Sequence, residues 1–140
     1  MEKIPVIYWS GTGNTKLMAE AVAEGIGTAA ELKSVSDITP EQAAEYSALA
    51  LGCSAMGAEV LEEYEFEPFF TALEPFLQEK KVVIFGSYGW GDGEWMRDWV
   101  DRMTAAGASV IDGEGLIAHE APDEEAVAAC NELGKKLAAI

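Results

Sequence analysis

Three short apolar stretches limit what this chain can fold into, because each is apolar at consecutive positions and then breaks abruptly into glycines and hydroxyl residues. They are Val6 to Trp9, Ala48 to Cys53, and the Val-Val-Ile-Phe of a strand reading from Lys81 to Gly86. A strand that alternates apolar with polar residues has one wet face. A run without alternation needs cover on both faces, which is the situation in a parallel sheet sandwiched by helices. Helical patterns fill the intervals. Met18, Ala21, Val22, Gly25 and Ile26 recur at helical spacing in a segment opening at Lys16 and closing near Gly25 or Gly27. Phe66, Phe69, Phe70, Leu73 and Leu77 form a second such face. Trp95, Met96, Trp99, Val100 and Met103 form a third, in a helix from Glu94 to Ala106 that Gly107 ends.

The remaining segments continue the alternation. Pro5 lacks an N–H, so the first strand is expected to begin there or at Val6. Leu32 and Val35 suggest a short second strand. Thr39-Pro40-Glu41-Gln42 reads as a capping box with Pro at the first helical position, opening a short helix to about Tyr46. Val110-Ile111 and Leu116-Ile117 read as two parts of a fifth strand broken by residues 112–115. The last helix starts after Pro122, places Asp123, Glu124 and Glu125 at its positive end, buries Val127, Cys130, Leu133 and Leu137, and carries Lys135 and Lys136 near its negative end. Five strands alternating with helices give an α/β fold with a parallel sheet, right-handed crossovers and helices on both faces. At 140 residues, 1–140 is read as one domain. Periodicity does not supply the strand order.

Three loops are abnormal in composition, and each follows the carboxyl end of a strand, the edge where open α/β sheets bind ligands. The first is Ser10-Gly11-Thr12-Gly13-Asn14-Thr15. It lacks the Lys-Ser/Thr of a P-loop and the third glycine of the dinucleotide fingerprint, and it offers hydroxyls and an amide in front of a helix N-terminus. Two readings stand: a phosphate monoester held by dipoles, or a polar turn that caps a helix. The second loop, Ser54-Ala55-Met56-Gly57-Ala58-Glu59, presents a polarisable thioether. The third, Ser87-Tyr88-Gly89-Trp90-Gly91-Asp92-Gly93, is too rich in glycine to continue as strand or helix and exposes an indole. Trp90 and Met56 taken singly read as packing residues. With the phosphate loop they describe a ligand that has a terminal phosphate and a flat aromatic head.

Charge narrows the partners. The chain holds 25 acids against 9 bases, a net charge of −16, and repels nucleic acid and anionic lipid. The acidic surface serves solubility or steers the protein toward a basic partner. Cys53 and Cys130 form no C-x-x-C and sit in apolar patterns, so both are read as buried thiols of a reducing compartment, with a disulfide as the alternative. The first five residues have no basic-then-apolar signal, and no apolar run approaches membrane-spanning length. A cytoplasmic protein with no membrane partner is the expectation.

Tyr8 to Thr15, Leu51 to Gly57 and Phe85 to Gly93 closely resemble the three cofactor loops of the short-chain flavodoxins, those of anaerobic bacteria especially, and the likeness extends to Phe66-Glu67-Pro68-Phe69 and Gly134-Lys135-Lys136. The resemblance implies strand order 2-1-3-4-5 with FMN at the switch point, flavodoxins being a standing example of that rule. It implies that Ser10, Gly11, Thr12, Gly13, Asn14 and Thr15, with Ser54, hold the FMN phosphate. Ala55, Ser87 and Tyr88 belong to the same loops, Met56 and Trp90 sandwich the isoalloxazine, Glu59 accepts flavin N3–H, and the Gly89 N–H faces the N1/O2 edge. Gly57 would turn its carbonyl toward flavin N5 on one-electron reduction and so favour the neutral semiquinone. The second electron leaves the flavin anionic at N1, which a site without a nearby cation in a protein of this charge disfavours, so the second couple is expected to be low in potential.

Ala58 departs from similar proteins, which often have Asp, Asn or Gly there. A turn aiming the Gly57 carbonyl at N5 is expected to be type II with positive φ at residue 58, a conformation Ala tolerates less well by about 1 kcal/mol. Ala58→Gly is expected to raise the first midpoint potential; equal first midpoints in a reductive titration would refute it. His119 reads either as a solvent-exposed loop histidine or as one near the cofactor rim. Asp92 and Glu94 read as helix-start acids or as docking residues.

The leading functional reading is an FMN-dependent, low-potential carrier of single electrons between redox proteins with basic docking surfaces, cycling mainly between semiquinone and hydroquinone, monomeric and not itself an enzyme. The alternative is a small FMN-dependent reductase that oxidises NAD(P)H and reduces a quinone or another small molecule. A redox-silent receiver domain of the same fold ranks last, since it needs an acidic cluster at the sheet edge where this chain has Ser10-Gly11-Thr12.

Overall fold

Successive side chains of a strand point to opposite faces, and here both faces are apolar. In the computed structural model, which describes residues 2–56 and 59–139, Ile7, Leu49, Leu51, Cys53, Val82 and Ile84 enter one core, while Val6, Ala50, Val83 and Phe85 enter the other. The strands that supply them are β1 (Ile4–Trp9), β3 (Ala48–Cys53) and β4 (Lys81–Tyr88). With β2 (Ala30–Ser34), β5 (Ser109–Val110) and β6 (Leu116–His119) they form one parallel sheet. Its order is β2-β1-β3-β4-β5, with β6 also paired to β4. The fifth strand is thus split in two as the sequence suggests. β5 pairs with the start of β4, Lys81 beside Ser109, and β6 with its end, Tyr88 beside His119.

Helices cover both faces. α1 (Asn14–Ile26) and α5 (Glu124–Ala138) close the face that holds Met18, Val22, Cys130, Leu133 and Leu137. α3 (Phe66–Leu73) and α4 (Glu94–Ala105) close the other, where Phe66 and Phe70 each meet Trp99 edge-on at 5.4 and 5.8 Å. α2 (Pro40–Ala43) is opened by a complete capping box: the Gln42 N–H donates to Thr39 Oγ1 at 3.1 Å and the Thr39 N–H to Gln42 Oε1 at 3.0 Å. Both cysteines are free and buried, and burial pushes the Cys130 thiol up to about 12.

Several boundaries differ from expectation. β4 runs two residues past Gly86, through Ser87 and Tyr88, because β6 pairs alongside and supplies their backbone partners. β1 starts at Ile4; Pro5 is tolerated because β3 pairs only from Val6 onward. α1 opens at Asn14 rather than Lys16, and α2 ends at Ala43 rather than near Tyr46, whose hydroxyl donates instead to Glu31 Oε1 at 3.0 Å. Val127 is exposed, since the apolar period of α5 extends one turn beyond the seam of Cys130, Leu133 and Leu137. His119 is the last residue of a strand, not part of a loop.

Candidate functional site

The chain leaves β1 toward β2 on one side and returns to β3 on the other, so the carboxyl ends of β1 and β3 open a crevice, the usual ligand position in such a sheet. The loops after β1, β3 and β4 meet there. Their meeting is fixed by hydroxyls that satisfy one another. Thr15, with no exposed surface, sits 2.7 Å from Ser54 Oγ and accepts the Ser87 N–H at 3.2 Å, so one side chain ties all three loops. Ser87 Oγ donates to the Glu120 carbonyl at 2.7 Å, and the Glu120 N–H donates to the Tyr88 carbonyl at 2.8 Å, which brings the end of β6 to the same edge.

The resulting cleft has a volume of about 350 Å³ and is lined by Gly11, Thr12 and Asn14, by Ser54, Ala55 and Met56, and by Ser87, Tyr88 and Gly89. Trp9 and Glu120 complete it. Neither was singled out from sequence. The signal for Trp9 was its place at the end of an apolar run directly before the first loop; nothing near Glu120 distinguishes it, since it enters the cleft only through the pairing of β6 with β4. Ser10 and Gly13 are not among the lining residues; they shape the first loop, where the Gly13 N–H donates to Ser10 Oγ at 3.0 Å. Thr15 and the Ser87 hydroxyl act as braces.

The N-terminus of α1 faces this edge without a side-chain acceptor. Its N-cap is Gly13, in a left-handed conformation with φ of 96°, no side chain caps it, and its first turn holds no acid. α5 and α2, by contrast, are capped by Asp123 and Thr39. An open set of N–H groups at the positive end of a 13-residue helix, beside the hydroxyls of Thr12 and Ser54 and the Asn14 amide, has the chemistry of an anion site.

The second loop turns back on itself. Met56 and Val60 exchange backbone bonds, Met56 N–H to Val60 at 2.9 Å and Val60 N–H to Met56 at 3.0 Å. Gly57 and Ala58, to which the sequence assigns the redox turn, lie outside the described residues. Glu59 is left-handed with φ of 55°, and its Oε1 accepts the N–H groups of Gly93 at 3.1 Å and Glu94 at 3.0 Å. The carboxylate expected to meet a ligand therefore also caps α4. Met56, which lines the cleft, is 40% exposed; Trp90, which follows the lining residue Gly89 but does not itself line the cleft, is 64% exposed, so both present apolar surface to solvent rather than to the core. Trp95 and Trp99 are buried, as their helical spacing indicates. Asp92 pairs with Arg97 at 2.9 Å. His119 Nε2 lies 3.1 Å from the Gly89 carbonyl, at the rim.

A cleft of this volume is within the usual range for a small-molecule site. Its uncapped helix end suits a phosphate, and the two exposed apolar side chains suit a planar head, so the residues present fit a mononucleotide-like cofactor. Fold and site together define a doubly wound α/β protein whose switch-point cleft has the chemistry to take a phosphate ester. Residues 6–133 match the model of the flavodoxin family. The flavodoxin of Clostridium beijerinckii is 50% identical over 138 residues, covering 96% of this chain and 99% of that protein. The flavodoxin of Megasphaera elsdenii is 45% identical over the same length, covering 96% and 98%. The solution structure of two-electron reduced Megasphaera elsdenii flavodoxin superposes with a TM-score of 0.85 at 43% identity, covering 98% of this chain and 99% of that one. The chain belongs to the flavodoxin family, FMN-binding proteins that carry electrons. Among the described residues no helix is long and apolar enough to cross a membrane.

Proposed function

We propose that this protein is a low-potential carrier of single electrons between larger redox proteins in the cytoplasm, with residues 1–140 acting as one flavodoxin-like domain. The observation that carries the proposal is one cleft that joins the uncapped N-terminus of α1 to the half-exposed Met56 and to Gly89, which the exposed Trp90 directly follows in the chain. FMN, when bound, supplies a flavin that accepts electrons one at a time. The chain supplies the rest. Thr12, Asn14 and Ser54, with the first N–H groups of α1, would hold the phosphate, while Ser10 and Thr15 keep the loop in shape for it. Ser10 Oγ already accepts from Gly13, and its hydroxyl hydrogen stays available to an anion. Met56 and Trp90 would cover the two faces of the flavin and exclude water from it. Glu59 has both its α4 bonds on Oε1, which leaves Oε2 to accept flavin N3–H. Gly89 would contribute its N–H to the opposite edge.

No Lys or Arg lines the cleft among the described residues, and the chain carries −16 overall. Added negative charge in the cleft is therefore disfavoured, which supports a low potential for the step that leaves the cofactor anionic and a cycle confined mainly to the half-reduced and fully reduced states. Basic docking surfaces on the partners and a monomeric carrier complete the proposal.

The test begins with FMN-free protein titrated with FMN and, separately, with riboflavin, followed by stepwise reduction under visible spectroscopy. Expected are tighter binding of FMN than of riboflavin, a loss of that preference in Thr12→Val and Ser54→Ala, and a long-wavelength band of one-electron-reduced flavin before full reduction. Equal affinity for the two flavins would overturn the phosphate assignment. Steady NAD(P)H oxidation by the protein alone would overturn the carrier in favour of a reductase.

A further inference from the structure

The lining of the cleft contains a carboxylate, hydroxyls, amides and aromatic rings, but no cationic side chain among the described residues. A titratable cation reaches its rim from outside. His119 is the chain's single histidine. Its Nε2 lies 3.1 Å from the carbonyl oxygen of Gly89, which lines the cleft, and 3.6 Å from Glu120 Oε1. The ring stands steeply against that of Tyr88, another lining residue, with centroids 5.1 Å apart. A carbonyl only accepts, so Nε2 carries the hydrogen of the neutral ring and Nδ1 is the atom that takes a second proton. The side chain is 57% exposed, so water can deliver that proton.

We infer that His119 is a redox-linked proton acceptor, taking up a proton at Nδ1 when negative charge enters the cleft and thereby favouring the reduced protein. The inference rests on the carrier reading above. In the second one-electron step the electron comes from the donor protein and stays in the cleft. The proton comes from water and binds His119, so no covalent bond of the cofactor is made or broken by this residue. Attraction between the added charge and the imidazolium raises the proton affinity of His119 in the reduced state, and by linkage the same amount of free energy makes reduction easier at low pH.

Other charged and titratable groups face this ring: Tyr88 from β4, Glu120 beside it, and Asp123 and Glu125, which line with it the groove between β6 and α5. Their carboxylates and the Tyr88 hydroxyl are present in wild type and in a His119→Gln variant alike, so the difference between those two proteins isolates the contribution of the imidazole. The sign is then fixed. The second midpoint is flat at high pH and rises as the pH falls through the imidazole titration. It flattens again once His119 is protonated in both states.

The test measures the second midpoint of the FMN-loaded protein from about pH 5 to about pH 9 for wild type, His119→Gln and His119→Phe. Gln keeps a donor for the Gly89 carbonyl without the titratable charge; Phe removes both. In parallel, the imidazole resonances are titrated by NMR in oxidised and fully reduced wild type. The wild-type and Gln curves should coincide on the alkaline side, with wild type rising above Gln on the acid side. The imidazole should take up its proton at a higher pH in the reduced protein than in the oxidised one. Parallel curves at every pH, or identical imidazole titrations in the two redox states, would overturn the inference and leave a structural role only. A chain that takes up no FMN removes the carrier reading and this one together. An FMN-loaded protein with parallel curves removes this one alone.

Discussion

Glu62→Gln probes how the second cofactor loop is rooted. Glu62 is 5% exposed, and its carboxylate accepts backbone N–H groups only: Tyr64 on Oε2 at 2.8 Å, and Glu65 and Phe66 on Oε1 at 2.8 and 2.9 Å. Its own N–H donates to Cys53 Sγ at 3.4 Å, at the end of β3. One side chain thus caps α3 while its backbone pins the returning arm of the Met56 to Val60 turn to the sheet. Gln has the same shape but a single acceptor oxygen. If that oxygen serves Glu65 and Phe66, its NH2 faces the Tyr64 N–H, donor against donor. One charge-assisted bond is lost, at about 1.5–3 kcal/mol, and two are weakened to neutral strength, so the variant should lose about 2–4 kcal/mol. For a chain of this length that is a fall in Tm of about 6–12 °C. Urea unfolding with and without FMN, at unchanged m-value, measures the loss. It should be the same size in both forms if Glu62 acts as a cap, and larger in the loaded form if it also shapes the cofactor loop. A variant within about 0.5 kcal/mol of wild type would refute the argument.

Arg102 clamps α4 onto α3, with Nη1 2.7 Å from Glu67 and Nη2 3.0 Å from Glu74 and its guanidinium 4.8 Å above the Phe70 ring. Its hydrogen bonds hold the Glu67 carboxyl below the ordinary value of 4.5, so the stabilisation is present above that value and lost as the pH falls through the depressed one. Because the pair is about a third exposed, Arg102→Gln should cost only about 1 kcal/mol at neutral pH and less in acid, and a pH-independent cost in urea unfolding would contradict this. Gly134 permits the close approach of α5 to α1: a Cβ there would sit 2.1 Å from the Val22 carbonyl oxygen and 3.0 Å from the Ile26 nitrogen. Gly134→Ala should therefore lower Tm although alanine favours helix by about 1 kcal/mol, and an unchanged or higher Tm would show that the helices separate freely. Electron transfer to a basic partner should slow as salt rises, given the charge of −16; rates independent of ionic strength would argue against electrostatic docking.

Much of this protein is written locally. The unbroken apolar runs of β1, β3 and β4 identify strands covered on both sides, and the structure places alternate residues of each run in the two cores. The Thr39 to Gln42 box, the Phe66 to Leu77 face and the three loops after strand ends depend on neighbours a few residues apart, which is the range over which propensity, capping and periodicity act. Composition alone set the charge that bears on partners and potential. What the sequence left open is which polar group meets which. Thr15 reads as a phosphate donor, yet its hydroxyl is buried between Ser54 and Ser87, 39 and 72 residues away along the chain. Glu59 reads as a ligand acceptor and also caps a helix that begins 35 residues later. Glu120 enters the cleft, and His119 reaches Gly89, only because β6 lies beside β4, while Trp9 enters it from the end of β1, where it pairs with Cys53 of β3. Periodicity reports the face on which a side chain lies, not its partner. A hydroxyl or carboxylate is satisfied equally well by a ligand or by another residue, and only the packing of distant segments decides which.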